Sequence, residues 1–457
     1  MSPTVLTPSA LASDPSSNNS VSVAEPQHAR PTAPSQNTPR KAWKPILTGM
    51  LAQRATDAWR RILADVYRRA DSFQLDPSLA SGAMGLAVPF AYAAQADVLP
   101  RAESSAVEWL ERGMSAAHEA RGLSLYGGLA GIGWTVAHLT GGDDAADDTN
   151  FSALDAALRY QLDVAPADQR VPYDLVSGVV GWGTYALQRL PSPTTRQLLD
   201  LAIDRLAQLA VPQIDGIAWL TPSSVLPGDQ QHEFPDGYLN LGVAHGVPGV
   251  IGLLSRAIAK GVAANAAMSL LTPAVEWLLA QQLPAQDLGA FGYYAAPGKR
   301  ASDVSRLGWC YGDLGNSLVI AHAAAVTGNQ AWRDAAHRLA LRAARRSSVT
   351  SGVEDAGLCH GAAGNAHLFN RLFQHFGNDE LQAAAVNWFA RTFAFDGRGG
   401  GVGGYAAWLH RGAAGAGWVD DPGLLEGAAG VALALLAATT DVEPAWDAML
   451  LADLPVV

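Results

Sequence analysis

The chain is short of cysteine and short of charge. Only two cysteines occur among its 457 residues, too few for the disulfide framework that staples small secreted domains. Charged residues make up 16%, and 31 Lys and Arg face 42 Asp and Glu, for a net charge of −11. No nucleic-acid partner is expected, because phosphate binding needs a basic face. No run of about 18 apolar residues marks a membrane span. Met1 to Thr7 carry neither the basic nor the apolar region of a secretion signal, so a soluble, cytoplasmic protein is expected.

Apolar residues are plentiful at 49%, and 46 glycines accompany them. That is enough to bury a large core, and closed helical rings can reach this length as one unit. Residues 1–42 are rich in Ser, Pro, Thr, Ala and Asn without apolar periodicity, and read as a disordered tail. Residues 43–457 read as one folded domain.

A Gly-x-x-Gly step recurs seven times in that domain, opening at Gly82, Gly128, Gly178, Gly246, Gly312, Gly361 and Gly427. The copies lie roughly 45 to 70 residues apart, about one helical hairpin each. Apolar stretches follow them, such as Val250–Ala259, Asn316–Val326, Asn365–Phe376 and Val431–Ala438, and predict buried inner helices. Amphipathic stretches such as Thr195–Leu209 and Asp379–Phe393 predict an outer layer. Seven hairpins closing on themselves give an all-α fold: an α/α toroid of seven inner and seven outer helices. The Gly steps would then share one face. Pro227–Asn240, Asp287–Ser305 and Gly397–Pro422 read as long loops on it, suited to binding substrate.

Both cysteines sit two residues before the first glycine of adjacent copies, in Cys310-Tyr311-Gly312 and Cys359-His360-Gly361. Closure of a repeat fold brings such equivalent positions together. Two thiolates and an imidazole are the protein ligands of a zinc site with one open position. Buried structural cysteines are the plain alternative. His245, before Gly246, is the candidate fourth ligand of a closed site, or a core histidine. Asp174, four before Gly178, and Arg306 read individually as caps or surface pairs. Asp303 and Asp355 read as caps, and His322, His337, His367 and His375 as packing or surface residues.

Trp309-Cys310-Tyr311-Gly312, Cys359-His360-Gly361 and Ala244-His245-Gly246, in that setting, resemble the lanthionine synthetase C-like family. Gly423-Leu424-Leu425-Glu426-Gly427-Ala428-Ala429-Gly430 resembles its last repeat, so the likeness covers roughly residues 45 to 455. The resemblance implies one zinc per chain, held by Cys310, Cys359 and His360. It places Asp174, His245, Arg306 and Tyr311 among the other active-site residues. It also implies the substrate, a ribosomal precursor peptide carrying dehydroalanine or dehydrobutyrine, with the dehydratase that made them as a candidate partner. The chain would close (methyl)lanthionine thioether rings. Arg306 would stabilise the developing oxyanion and His245 would protonate Cα, with Asp174 orienting His245 or assisting deprotonation of the incoming thiol. Two rival functions share the fold: addition of glutathione or another external thiol to dehydrated residues, and a non-catalytic toroid with structural zinc. A glycan hydrolase is weaker, since only Asp174 and Glu426 offer motif carboxylates.

Overall fold

The computed structural model describes residues 42–73, 75–141, 150–164, 171–296, 302–410 and 415–456. The tail expected over residues 1–42 lies outside them except for its last residue. The chain divides at Thr38/Pro39, and everything below belongs to the second unit.

Helix α1 (Gly49–Arg68) is followed by hairpins of one buried and one amphipathic helix. They are α2 (Ala83–Gln95) with α3 (Ala102–Ser115), α4 (Leu129–Thr140) with α5 (Ser152–Val164), and α6 (Val179–Gln188) with α7 (Pro193–Leu209). After the short α8 (Gly228–Glu233) come α9 (Val247–Ala259) with α10 (Ala264–Ala280) and α11 (Asp313–Thr327) with α12 (Gln330–Ala344). Last come α13 (Ala362–Phe376) with α14 (Asp379–Thr392), and α15 (Ala428–Thr439). Helices α2, α4, α6, α9, α11, α13 and α15 each pack on the next, and α15 returns to α2. The seventh outer position is filled by α1, which packs on α15. Trp43 seals this closure, its Nε1 donating to the Ala437 carbonyl at 2.8 Å. Among the described residues the ring is therefore the α/α toroid expected, with seven helices in each layer.

Composition explains the layering. Helix α15 has no charged residue and is buried from Ala428 to Ala438, so it is stable only inside. Helix α1 buries Ala55, Ala58, Trp59, Ile62, Leu63 and Val66 along one face and turns its arginines outward.

The inner helices begin three residues earlier than the apolar stretches suggest. In all seven copies the first glycine of the step is the N-cap, and the x-x-Gly that follows is the first helical turn. The second glycine is there for close approach. A Cβ on Gly131 would collide with the Leu125 carbonyl oxygen and come within 3.1 Å of Leu79 Cβ in the preceding repeat. Gly85 stands in the same way against Leu424, which joins the last repeat to the first. We expect Gly131→Ala to destabilise the toroid by about 1–3 kcal/mol, read as a lowered denaturation midpoint.

The all-α expectation holds for the ring but not for its insertions. Between α7 and α11 the chain forms an antiparallel sheet ordered β1 (Ala210–Gln213), β2 (Gly216–Thr221), β3 (Tyr238–Asn240), β4 (Tyr294–Ala295). A second hairpin pairs β5 (Ala407–His410) with β6 (Ala416–Val419). Insertions lying over the ring must satisfy their backbone groups locally, and short strands do so. Buried Trp219 fastens β2 to α7 through Nε1 and the Leu206 carbonyl, 2.8 Å apart.

Beyond α15, a 3-10 turn at Ala445–Leu450 crosses the inside of the ring. Tyr126 Oη donates to the Met449 carbonyl at 2.9 Å and Trp309 Nε1 to the Leu450 carbonyl at 2.7 Å. Fully buried Asp447 binds Arg371 and His367, and the His367 ring packs on Trp446 with centroids 4.5 Å apart, so this histidine is a packing residue that also joins a polar network. His375 is buried against the Pro455 carbonyl. No described helix is long and apolar enough to cross a membrane.

Candidate metal and catalytic site

A chain of backbone hydrogen bonds links the loops that precede the inner helices. Val176 N donates to the Ala244 carbonyl, Ala244 N to that of Cys310, and Trp309 N to that of Cys359. Cys359 N donates to Leu425, and Leu425 N returns to Ala80 of the first repeat. This ladder, more than sequence proximity, brings His245, Cys310 and Cys359 onto one face. The approach is close enough that a Cβ on Gly308 would lie 2.9 Å from His360 Cβ. At Gly312 the chain turns with φ +96°, a left-handed conformation that a side chain would strain.

Cys310, Cys359 and His360 come together as expected, with ligand atoms all within 4.8 Å of one another. Cys310 Sγ lies 3.8 Å from His360 Nδ1. Donors 2.3 and 2.0–2.1 Å from a tetrahedral zinc would stand about 3.6 Å apart, so the Cys310–His360 separation is close to that of two ligands on one ion. Both cysteines are buried and they form no disulfide. Their chemistry also fits a metal. The Cys359 thiol hydrogen-bonds Cys310 and, with His360 and Arg306, holds the Cys310 thiol well below its usual range against the effect of burial. Cys359 is pushed well above its usual range by the same partner and by burial. The pair thus shares a proton that a cation can displace. His245 is not in this cluster, and among the described residues no fourth protein ligand joins it.

His245 faces Asp174 instead, with Nδ1 2.7 Å from Oδ2. The other carboxylate oxygen accepts from Ser177 N at 2.6 Å, so Asp174 also braces the turn that leads into α6. Burial lowers the imidazole pKa, but the hydrogen bond and charge of Asp174, with Cys310 nearby, raise it above the ordinary value. With Nδ1 fixed, Nε2 is the nitrogen left to meet a substrate.

Arg306 lies near both thiols. Burial opposes its charge, while Cys310, Tyr293 and Cys359 reinforce it. Its backbone N–H donates to Tyr293 Oη at 3.0 Å. Tyr311 packs against Tyr293 with centroids 5.3 Å apart, and its hydroxyl accepts from Asn240 Nδ2 at 3.0 Å. Glu426 borders the site too, its pKa raised by burial although His360 opposes the shift.

Asp355 caps its loop, accepting from Gly357 N at 3.0 Å and from Trp408 N at 2.9 Å. Asp303 is exposed beside the Gly292–Val304 bridge. Sequence reasoning missed Asn240 and Tyr293, which lay in segments read as loops. A signal for Asn240 existed, since it stands six before Gly246, as Asp76, Asp355 and Asp421 stand six before theirs.

Comparison with known proteins bears on the family and the fold. A family described as Lanthionine synthetase C-like protein matches residues 74–451. The Nisin biosynthesis protein NisC of Lactococcus lactis subsp. lactis is 27% identical over 270 residues, 54% of this chain. The match spans 62% of that relative's own length. A solved structure of Nisin cyclase superposes with a TM-score of 0.69 at 20% identity, covering 86% of this chain and 96% of that one. That likeness is one of fold. With a match over most of its length and the corresponding toroid, the chain belongs to the lanthionine synthetase C-like family.

Proposed function

We propose that this chain is a zinc-dependent peptide cyclase. It adds cysteine thiols of a ribosomal precursor peptide to dehydroalanine or dehydrobutyrine in the same peptide, closing lanthionine or methyllanthionine rings. The observation that carries this reading is the meeting of Cys310, Cys359 and His360 with the His245–Asp174 pair on one face of a toroid of this family. One zinc, held by those three ligands, would supply the positive charge that keeps an incoming thiol deprotonated. A dehydratase must act on the peptide first, because the acceptor is a dehydrated residue.

The chain's own groups do the rest. The thiol releases its proton to solvent on binding, and its sulfur forms a bond to Cβ. The alkene π pair moves toward Cα and the adjoining carbonyl, where Arg306 and the Tyr311 hydroxyl face the developing oxyanion. His245, held at Nδ1 by Asp174, delivers a proton from Nε2 to Cα. One proton leaves and one arrives, so the peptide's mass does not change.

A synthetic peptide with one dehydroalanine and one downstream cysteine tests the reading. Incubation with the zinc-loaded protein should remove the alkylatable thiol without a mass change. Adding glutathione separates the external-thiol alternative, which would give a product heavier by one glutathione. Recovery of unreacted peptide in both arms would leave only the non-catalytic toroid. That alternative is disfavoured because His245 is engaged by Asp174 and stands outside the ligand cluster.

A further inference from the structure

Asp76, Asn240, Asp355 and Asp421 occupy one position in four repeats, six residues before the first glycine. Each makes the same turn, its Oδ1 accepting the backbone N–H two residues on, at Ser78, Gly242, Gly357 and Gly423. The distances run from 2.7 to 3.0 Å. Aspartate therefore suffices for the turn. The repeat that places His245 in the site carries asparagine instead.

The difference between the two side chains is a donor. Gly242 N–H can only donate, so the Asn240 oxygen must face it, and that fixes which end of the amide points the other way. Nδ2 then faces Tyr311 Oη at 3.0 Å. Asn240 is 2% exposed, at the end of β3 in register with Tyr294. A hydroxyl that accepts from an amide keeps its own hydrogen for another partner. An aspartate here would reverse the bond, with Tyr311 donating to the carboxylate and its hydrogen withdrawn from the site.

We propose that Asn240 is a positioning residue whose amide fixes the Tyr311 hydroxyl as a hydrogen-bond donor into the site. The proposal rests on the reading of Tyr311 as an active-site group. It also gives the β insertion a purpose: β3 carries Asn240 to the site, and Tyr293, next to β4, backs the same ring.

The test is a double-mutant cycle of Asn240→Asp and Tyr311→Phe in the zinc-loaded full chain, with the dehydroalanine–cysteine peptide as substrate. Asn240→Asp should keep Tm and zinc content, since three repeats make the turn with Asp. Its kcat should fall by about 10- to 100-fold with KM changed less than about threefold. In the Tyr311→Phe background the same change should have no further effect. A wild-type kcat in Asn240→Asp, a lowered Tm, or an equal loss in both backgrounds would each overturn the proposal while leaving Tyr311 in the mechanism. A wild-type rate in Tyr311→Phe would remove Tyr311 from the reading, and the proposal with it.

Discussion

Cys310→Ala and Cys359→Ala are each expected to lose bound zinc and to slow ring closure by roughly a thousandfold. A free thiol with a pKa near 8.5 is only about 3% ionised at pH 7, so a thiol no longer held as thiolate loses over an order of magnitude. Loss of its fixed approach to the alkene accounts for the remainder. The fold should survive. Both residues are tied into the loop ladder by backbone groups that alanine keeps, including Trp309 N to Cys359 O at 2.9 Å and Cys359 N to Leu425 O at 2.8 Å. Elemental analysis and the alkylation assay read the two effects separately. Full zinc occupancy in either variant would show that the ion sits elsewhere. Zinc loss with ring closure at the normal rate would make the metal structural.

His245→Ala is expected to keep zinc and lose about 10²- to 10⁴-fold in kcat, the usual contribution of a positioned proton donor. Asp174→Asn should fall short of that, because an amide still holds the ring but no longer stabilises its positive charge. The two variants separate by pH. Asp174 is what raises the imidazole pKa against burial. The donor must be protonated to act, so the wild-type rate falls as pH rises through that raised pKa. Removing the carboxylate charge lowers the pKa, and the falling limb of the profile should move to lower pH in Asp174→Asn. A limb that stays in place would mean that another group is the acid.

Much of this was legible in the chain before any coordinates. Seven Gly-x-x-Gly steps with apolar stretches after them specify a ring of helical hairpins, because each unit buries the same kind of face against its neighbours. Equivalent offsets also marked Cys310, Cys359, His360 and His245, since closure carries equal positions to one face. The apolar stretches marked the helix starts three residues late, since the step itself forms the first helical turn.

What the repeat could not specify is what breaks it. The pairing of Asp174 with His245 joins residues 71 positions apart through neighbouring loops, and a lone Asp before a glycine looks like a cap. Its other oxygen does brace the turn before the helix, through Ser177 N. Asn240 and Tyr293 reach the site on strands within insertions of no fixed period, and the Ala445–Leu450 turn that lies inside the ring follows the last repeat. Periodicity records the surface that every unit must bury and fixes which residues share a level of the ring. Partners across that level depend on side-chain direction and on the course of the insertions, which only the closed tertiary structure decides.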